Sequence, residues 1–168
     1  TEVCSNNVAI LNSAPTISNA VLNATDHPTN STDANLTLYW SASDVDGDNV
    51  KNITDWKLNG TSIAVLNMPF EKVSGSIFNA TKDYSNNSNN GSEHGGVLWN
   101  ATGGYDGFGA YQFDSVNDGL RISTTNINSK NNTVSFWAKP LDVNKAQYIT
   151  SSDTGGVAFS VVLGVQDG

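Results

Sequence analysis

Charge is what this sequence has least of. Only 14% of its 168 residues are Asp, Glu, Lys or Arg, against about a quarter in an ordinary soluble domain. The eight basic residues are scattered from Lys51 to Lys145, so they form no patch able to neutralise a row of phosphates. With a formal net charge of −8, nucleic acid and anionic membrane surfaces are poor partners. Glutamate is restricted to Glu2, Glu71 and Glu93, none paired in sequence, which leaves no sign of the two carboxylates that glycoside hydrolysis needs. Histidine is restricted to His27 and His94, each in a polar turn setting, and no His or Cys spacing suits zinc. Nucleophile elbows and phosphate loops are absent too: the run Gly103-Gly104-Tyr105-Asp106-Gly107 precedes a strand pattern rather than a helix. The expectation is a protein that is not an enzyme. No apolar run approaches the roughly 20 residues of a spanning helix, so this segment is not expected to enter a membrane. No signal-peptide pattern opens the chain, and Thr1 is expected to follow a cleavage. Cys4 is the one cysteine, which rules out an intrachain disulfide. It reads either as a stray thiol near the terminus or as a bridge to another chain.

Asparagine and hydroxyl residues fill the space that charge leaves. The chain holds 23 Asn and 34 Ser or Thr, and chance pairing at that composition gives about five Asn-x-Ser/Thr acceptors. Ten occur, at Asn23, Asn30, Asn35, Asn52, Asn59, Asn79, Asn86, Asn90, Asn100 and Asn131. In a strand, residues i and i+2 share a face. Asn35-Leu36-Thr37 and Asn52-Ile53-Thr54 therefore put acceptor and hydroxyl together outside and the apolar residue inside. Asn59-Gly60 and Asn90-Gly91 fall at turns instead. A surface hydrated by glycans rather than charge points to a secreted, extracellular glycoprotein. Dense acceptors with little cysteine lean toward an archaeal cell surface.

Along the chain, residues 1–14 read as an N-terminal arm or linker. From Thr16 to about Phe78, short alternating segments broken by turns give the pattern of a β-sandwich. Ile17 and Val21 share a parity in Thr16–Leu22. Leu36, Leu38 and Trp40 share another in Leu36–Ala42. A third strand is expected over Ile53–Leu58, folding back at Asn59-Gly60 onto Ser62–Leu66 through a type I′ turn. Trp40 and Trp56 are expected in the core. Asp44, Asp46 and Asp48 alternate around Gly47; they read either as a site for Ca²⁺, which prefers such oxygen ligands, or as a solvated turn. Residues 81–95 have the composition of a linker. Beyond them, Tyr111 and Phe113 alternate, Asn117-Asp118-Gly119 marks a hairpin turn, and Leu120 and Ile122 resume the period. Asp114, Asn117 and Asp118 read as turn residues or as an oxygen-lined site for a cation or sugar.

Two resemblances sit on these patterns. Leu38-Tyr39-Trp40-Ser41-Ala42-Ser43-Asp44-Val45-Asp46-Gly47-Asp48 and Trp56-Lys57-Leu58-Asn59-Gly60-Thr61 resemble the immunoglobulin-like or cadherin-like modules of microbial surface proteins. That implies a spacer or adhesive role, stiffened by Ca²⁺. The blocks Asp83-Tyr84-Ser85 with its Asn-rich continuation, Gly107-Phe108-Gly109-Ala110-Tyr111-Gln112-Phe113-Asp114 and Val134-Ser135-Phe136-Trp137-Ala138-Lys139-Pro140 resemble a laminin-G-type, concanavalin A-like jelly roll. Ser115 stands where that family has Gly, and Gly119 where it has an aromatic. The expected fold is all-β: an Ig-like sandwich over 15–80, then a concanavalin A-like jelly roll over 81–168. About twice that second length makes a complete jelly roll, so the natural chain is expected to continue past Gly168 or to be completed by another chain. Val157, Phe159, Val161, Leu163 and Val165 alternate along a final strand suited to pairing between subunits. The expected function is an extracellular structural or adhesive surface protein, as a homo-oligomer or with other surface proteins. The alternative is a carbohydrate-binding module. No cofactor is required; Ca²⁺ at Asp44, Asp46 and Asp48 is the one candidate ion, and N-glycans are the expected covalent additions.

Overall fold

The structure, a computed structural model, describes residues 11–72, 81–122 and 133–141, together with the backbone of strands 147–152 and 158–163. Among the described residues there is no helix, and ten strands pair into five small antiparallel sheets of two strands each. The chain divides into two compact units, Thr1–Asn52 and Ile53–Gly168. The sequence pattern put its boundary at 80/81; the contacts put it 28 residues earlier. The reason lies in the 81–91 segment, which binds back onto residues 62–67 and so belongs with them.

The first unit is a ribbon of β1 (Thr16–Ala24) and β2 (Leu36–Ser43). Their register pairs Ser18 with Ser41 and Val21 with Tyr39, so Asn19 and Ala20 together face Trp40. Asn19 has φ 54°, a left-handed conformation that Asn tolerates better than most residues, and the extra residue is a β-bulge. A bulge flips parity downstream. Ile17 and Val21, expected on one face, are on opposite ones. Ile17, Leu22, Ala24, Leu36, Leu38, Trp40 and Ala42 make one wholly apolar face. Thr16, Ser18, Val21, Asn23, Thr37, Tyr39, Ser41 and Ser43 make the other.

In the second unit, β3 (Lys57–Leu58) and β4 (Thr61–Ser62) form a hairpin of two rungs. Asn59 and Gly60 have φ 50° and 81°, the type I′ turn the sequence pattern calls for. The strands are shorter than that pattern gives, because residues 53–56 and 63–71 run as irregular chain. Next, β5 (Gly91–His94) and β6 (Leu98–Asn100) run out, and β7 (Ala110–Gln112) and β8 (Gly119–Ile122) return, with β6 on β7 and β5 on β8. They form one long hairpin interrupted by a mismatch, 95–97 on the outward arm against 113–118 on the return. Asn117-Asp118 therefore closes no hairpin; it sits in a wide bulge. The two arms touch at Gly95, where a Cβ would lie 2.2 Å from the Asn117 carbonyl oxygen and φ is 78°. Only glycine meets both demands. Strands β9 (Gln147–Ser152) and β10 (Ala158–Leu163) pair with each other.

Among the described residues Val97 is the one buried large apolar side chain. Trp40 and Trp56, expected in a sandwich core, are 37% and 39% exposed. What is buried instead is polar: Ser62, Thr81, Asp83, Ser85 and Asn89.

Candidate functional site

The densest chemistry of the second unit is in 81–91, the segment whose composition reads as a linker. Asp83, Ser85, Asn87, Asn89 and Gly91 alternate along it, and every one of them is buried or half-buried. The cause is backbone accounting. Residues 63–67 have no partner strand, and a buried carbonyl or N–H without a partner costs about 1–3 kcal/mol. Side chains of 81–91 supply those partners. Asn89 Nδ2 donates to the Val65 carbonyl at 3.0 Å, and Asn87 Nδ2 donates to the Ala64 and Val65 carbonyls at 3.3 Å each. Tyr84 N–H donates to the Asn67 carbonyl at 2.8 Å. An asparagine amide carries two N–H donors, which is why Asn recurs here.

Asp83 is the centre of this loop. Its Oδ1 accepts the N–H of Asn67 and of Ser85 at 2.9 Å each; its Oδ2 accepts the Ser85 hydroxyl at 2.7 Å and the Asn89 N–H at 2.9 Å. The residue is 3% exposed. Burial pushes its carboxyl up, but the hydrogen bonds from Asn67, Ser85 and Asn89 outweigh burial and hold it below its ordinary 3.8. With its four lone-pair positions taken by protein donors, Asp83 is a structural pin.

Ser62 links the β3–β4 hairpin to the same loop. Its Oγ lies 2.6 Å from Asp55 Oδ2 and 2.6 Å from Asn86 Oδ1, and accepts the Asn86 N–H at 2.9 Å. One hydroxyl proton cannot serve both acceptors. Donation to Asp55, with the Asn86 amide turned so that its nitrogen faces Ser62, satisfies the group.

The two glutamates that stand far apart in sequence meet at Tyr111. Glu71 Oε1 accepts the Gly109 N–H at 2.8 Å, and Glu93 Oε1 is 3.2 Å from Lys72 Nζ. Burial first, then the Glu93 and Glu71 charges, push the Tyr111 hydroxyl up to about 12. Trp99 Nε1 donates to the Phe70 carbonyl at 3.0 Å, and Phe70 meets Tyr111 edge-on at 6.3 Å. No sequence spacing announces this cluster, since it needs the β5–β8 and β6–β7 registers to form. Two further features were not legible in sequence: Tyr105 and Trp137, both exposed, stack at 4.1 Å with ring planes 9° apart. An open pocket of about 400 Å³ is lined by Thr54, Asp55, Trp56, Ile63, Ala64, Leu66 and Asn67.

The candidate oxygen sites are turns held by their own carboxylates. Asp44 Oδ1 accepts the Asp46 N–H at 2.8 Å, and Asp46 Oδ2 accepts the Ser13 N–H at 2.7 Å. Asp48 is exposed. Asp118 Oδ2 accepts the Asp114 N–H at 3.0 Å, and Asp114 Oδ1 accepts the Val116 N–H at 2.8 Å. Asn117 meets Gly95 through its backbone. Ser115 has φ 66°, a left-handed conformation that glycine adopts more readily than serine. Among the described residues no three His, Cys, Asp or Glu side chains gather to hold a metal ion.

Of the glycan acceptors, Asn30, Asn35, Asn52, Asn59, Asn86 and Asn100 are exposed, and Asn23 and Asn90 are half-buried. Asn79, Asn131 and Cys4 lie outside the described residues, as do the side chains of the final strand. Asn23 pairs with Thr37 across the ribbon, and Thr25 N–H donates to the Asn35 carbonyl at 2.8 Å. The sequons Asn23-Ala24-Thr25 and Asn35-Leu36-Thr37 therefore lie antiparallel, each acceptor opposite the other's hydroxyl, on the polar face. Comparison with protein-family models, curated proteins and solved structures finds no match for this chain. Among the described residues no helix is long and apolar enough to cross a membrane.

Proposed function

We propose that this chain is part of an N-glycosylated, extracellular structural or adhesive surface protein without catalytic activity, built from an Ig-like sandwich and a laminin-G-like jelly roll. The observation that carries the reading is the β1–β2 ribbon. Its polar face holds two sequons side by side, while its opposite face is apolar and exposed, with Leu36 56% exposed. A ribbon hydrated on one side and apolar on the other suits a layer in an assembly. The scarcity of charge and the ten sequons support the same reading. Subunits would join through terminal strands, where backbone hydrogen bonds give affinity and side-chain alternation sets register.

Two measurements test it on protein from the native source. Glycopeptide mass spectrometry is expected to find sugar on the ribbon, at Asn35 first. Electron microscopy without denaturant is expected to show regular filaments or sheets, lost on deletion of residues 157–165. Bare asparagines together with dispersed monomers would refute the proposal.

The pocket beside Trp56 favours a second reading, a carbohydrate-binding module. An exposed indole next to Asp55 and Asn67 offers a stacking surface with hydrogen-bonding groups at its rim. Binding across a glycan panel that is lost in Trp56→Ala would support it, and a blank panel with the fold intact would dismiss it.

A further inference from the structure

Two Asn-Gly pairs occur in described chain, Asn59-Gly60 and Asn90-Gly91, and each opens a sequon. The local sequence makes them equivalent. Their surroundings are opposite. Asn59 and Gly60 are both exposed at the tip of a hairpin only two rungs long. A Cβ on Gly60 would meet nothing within 4 Å. In contrast, Asn90 is half-buried, and its Oδ1 accepts the Asp83 N–H at 2.9 Å. Gly91 is buried, its N–H donates to the Thr81 carbonyl at 2.9 Å, and a Cβ there would lie 2.8 Å from Thr81 Cγ2.

We propose that Asn59 is a site of self-modification through a succinimide, and that Asn90 is protected from the same chemistry by the Asp83 loop. At Asn59 the Gly60 backbone nitrogen gives up its proton and attacks Cγ. The new N–C bond forms, the Cγ–Nδ2 bond breaks, and Nδ2 leaves with the proton as ammonia. Water then adds to one of the two imide carbonyls and opens the ring to aspartate or isoaspartate. Nothing but water is consumed. Glycine favours the step because it puts no side chain in the way of its own nitrogen. The type I′ turn must relax for the nitrogen to reach Cγ, and a hairpin of two rungs opens at little cost. At Asn90 the attacking nitrogen is already hydrogen-bonded and the target amide is held, so reaction waits for the whole 81–91 loop to open.

The consequence reaches beyond the turn. Isoaspartate adds a methylene to the backbone between Leu58 and Thr61, which breaks the register of Lys57 with Ser62. Ser62 is the residue that joins the hairpin to Asp55 and Asn86. A sugar on Asn59 Nδ2 would turn the leaving ammonia into a glycosylamine and slow the reaction. A glycan at this position would then preserve the turn chemically as well as hydrate it.

The test uses the full chain made in a host that adds no N-glycans, so it does not depend on the glycoprotein reading. The chain is aged at neutral pH, with and without denaturant, and followed by peptide mapping and isoaspartyl methyltransferase labelling. Under native conditions Asn59 is expected to convert at least ~10-fold faster than Asn90, which corresponds to ~1.4 kcal/mol of extra opening free energy at Asn90. In denaturant the two rates converge. Equal native rates, or a faster Asn90, would overturn the proposal. As a second arm, Asp83→Asn raises the Asn90 rate toward that of Asn59. An Asn90 rate unchanged in that variant would mean the loop is not what protects it.

Discussion

The β1–β2 ribbon and the Asp83 loop achieve order by opposite means. The ribbon has a pattern without burial: one face is wholly apolar, with only Val21 and Tyr39 among the polar residues of the other, yet Ile17, Leu22 and Leu36 remain exposed. The loop has burial without an apolar pattern: Asp83, Ser85 and Asn89 are inside, held by hydrogen bonds rather than by removal of oily surface from water. Hydrophobic periodicity reports which face could be covered. Burial of polar groups requires that every donor and acceptor meet a partner. The second condition is harder to satisfy and, once met, is more specific.

The largest expected break in that comparison is Asp83→Asn. It replaces a carboxylate that accepts four hydrogen bonds with an amide whose NH₂ faces donors, and is expected to cost ~3 kcal/mol or more. Denaturant unfolding monitored by hydrogen exchange should show the loss in residues 53–122 and little change in the ribbon. The same carboxylate sets an acid limit. Its pKa is lower folded than unfolded, so its contribution is complete above the ordinary value of 3.8 and lost as pH falls through the lower folded value. Loop protection should therefore hold from neutral pH down to about 4 and decline below it, a decline that Asp83→Asn abolishes.

Next comes a pair of glycines. In Gly95→Ala the new methyl meets the Asn117 carbonyl as well as a left-handed backbone, and ~3 kcal/mol is expected. At Gly47 of the Asp44 turn φ is 80° but nothing lies within 4 Å, so Gly47→Ala should cost ~1 kcal/mol. Equal losses in the two melting curves would mean that the arms do not touch at Gly95.

Smaller still is the tyrosine titration. Ultraviolet absorbance should show a phenolate phase near pH 12 that disappears in Tyr111→Phe and moves lower in Glu93→Gln. Since the folded pKa is the higher one, this group's contribution to stability is intact below the ordinary 10.0 and lost as pH rises toward 12. The smallest effect belongs to the ribbon. Leu36→Ser should cost under ~1 kcal/mol in the isolated chain, because more than half of the side chain is already in water. A loss of ~2–3 kcal/mol would show that the apolar face is covered.

Much of the local structure was legible from the residues. Period-two alternation over Thr16–Leu22 and Leu36–Ala42 located the first two strands to within two residues of their ends, and Asn59-Gly60 announced its turn, because strand pleat and left-handed φ act on a residue and its neighbours alone. Asn35 and Thr37 share a face as the alternation requires, but Leu36 between them is exposed rather than inside, because alternation assigns a face and not what covers it. The bulge at Asn19 has no mark in the sequence pattern, since a single extra residue looks like any other strand residue, yet it reverses every later side chain of β1.

The sequence by itself determined a β-rich chain, poor in charge, with sequons on strands and turns, because those properties follow from side chains taken one by one and from short-range geometry. Only the tertiary structure decided that 81–91 is a buried loop rather than a linker. The value of Asp83 depends on the Asn67 N–H being 2.9 Å away, and that of Asn89 on the Val65 carbonyl. Hydrogen-bond partners distant in sequence leave no periodic trace, so an interior built from them reads as a polar linker until the chain folds back on itself.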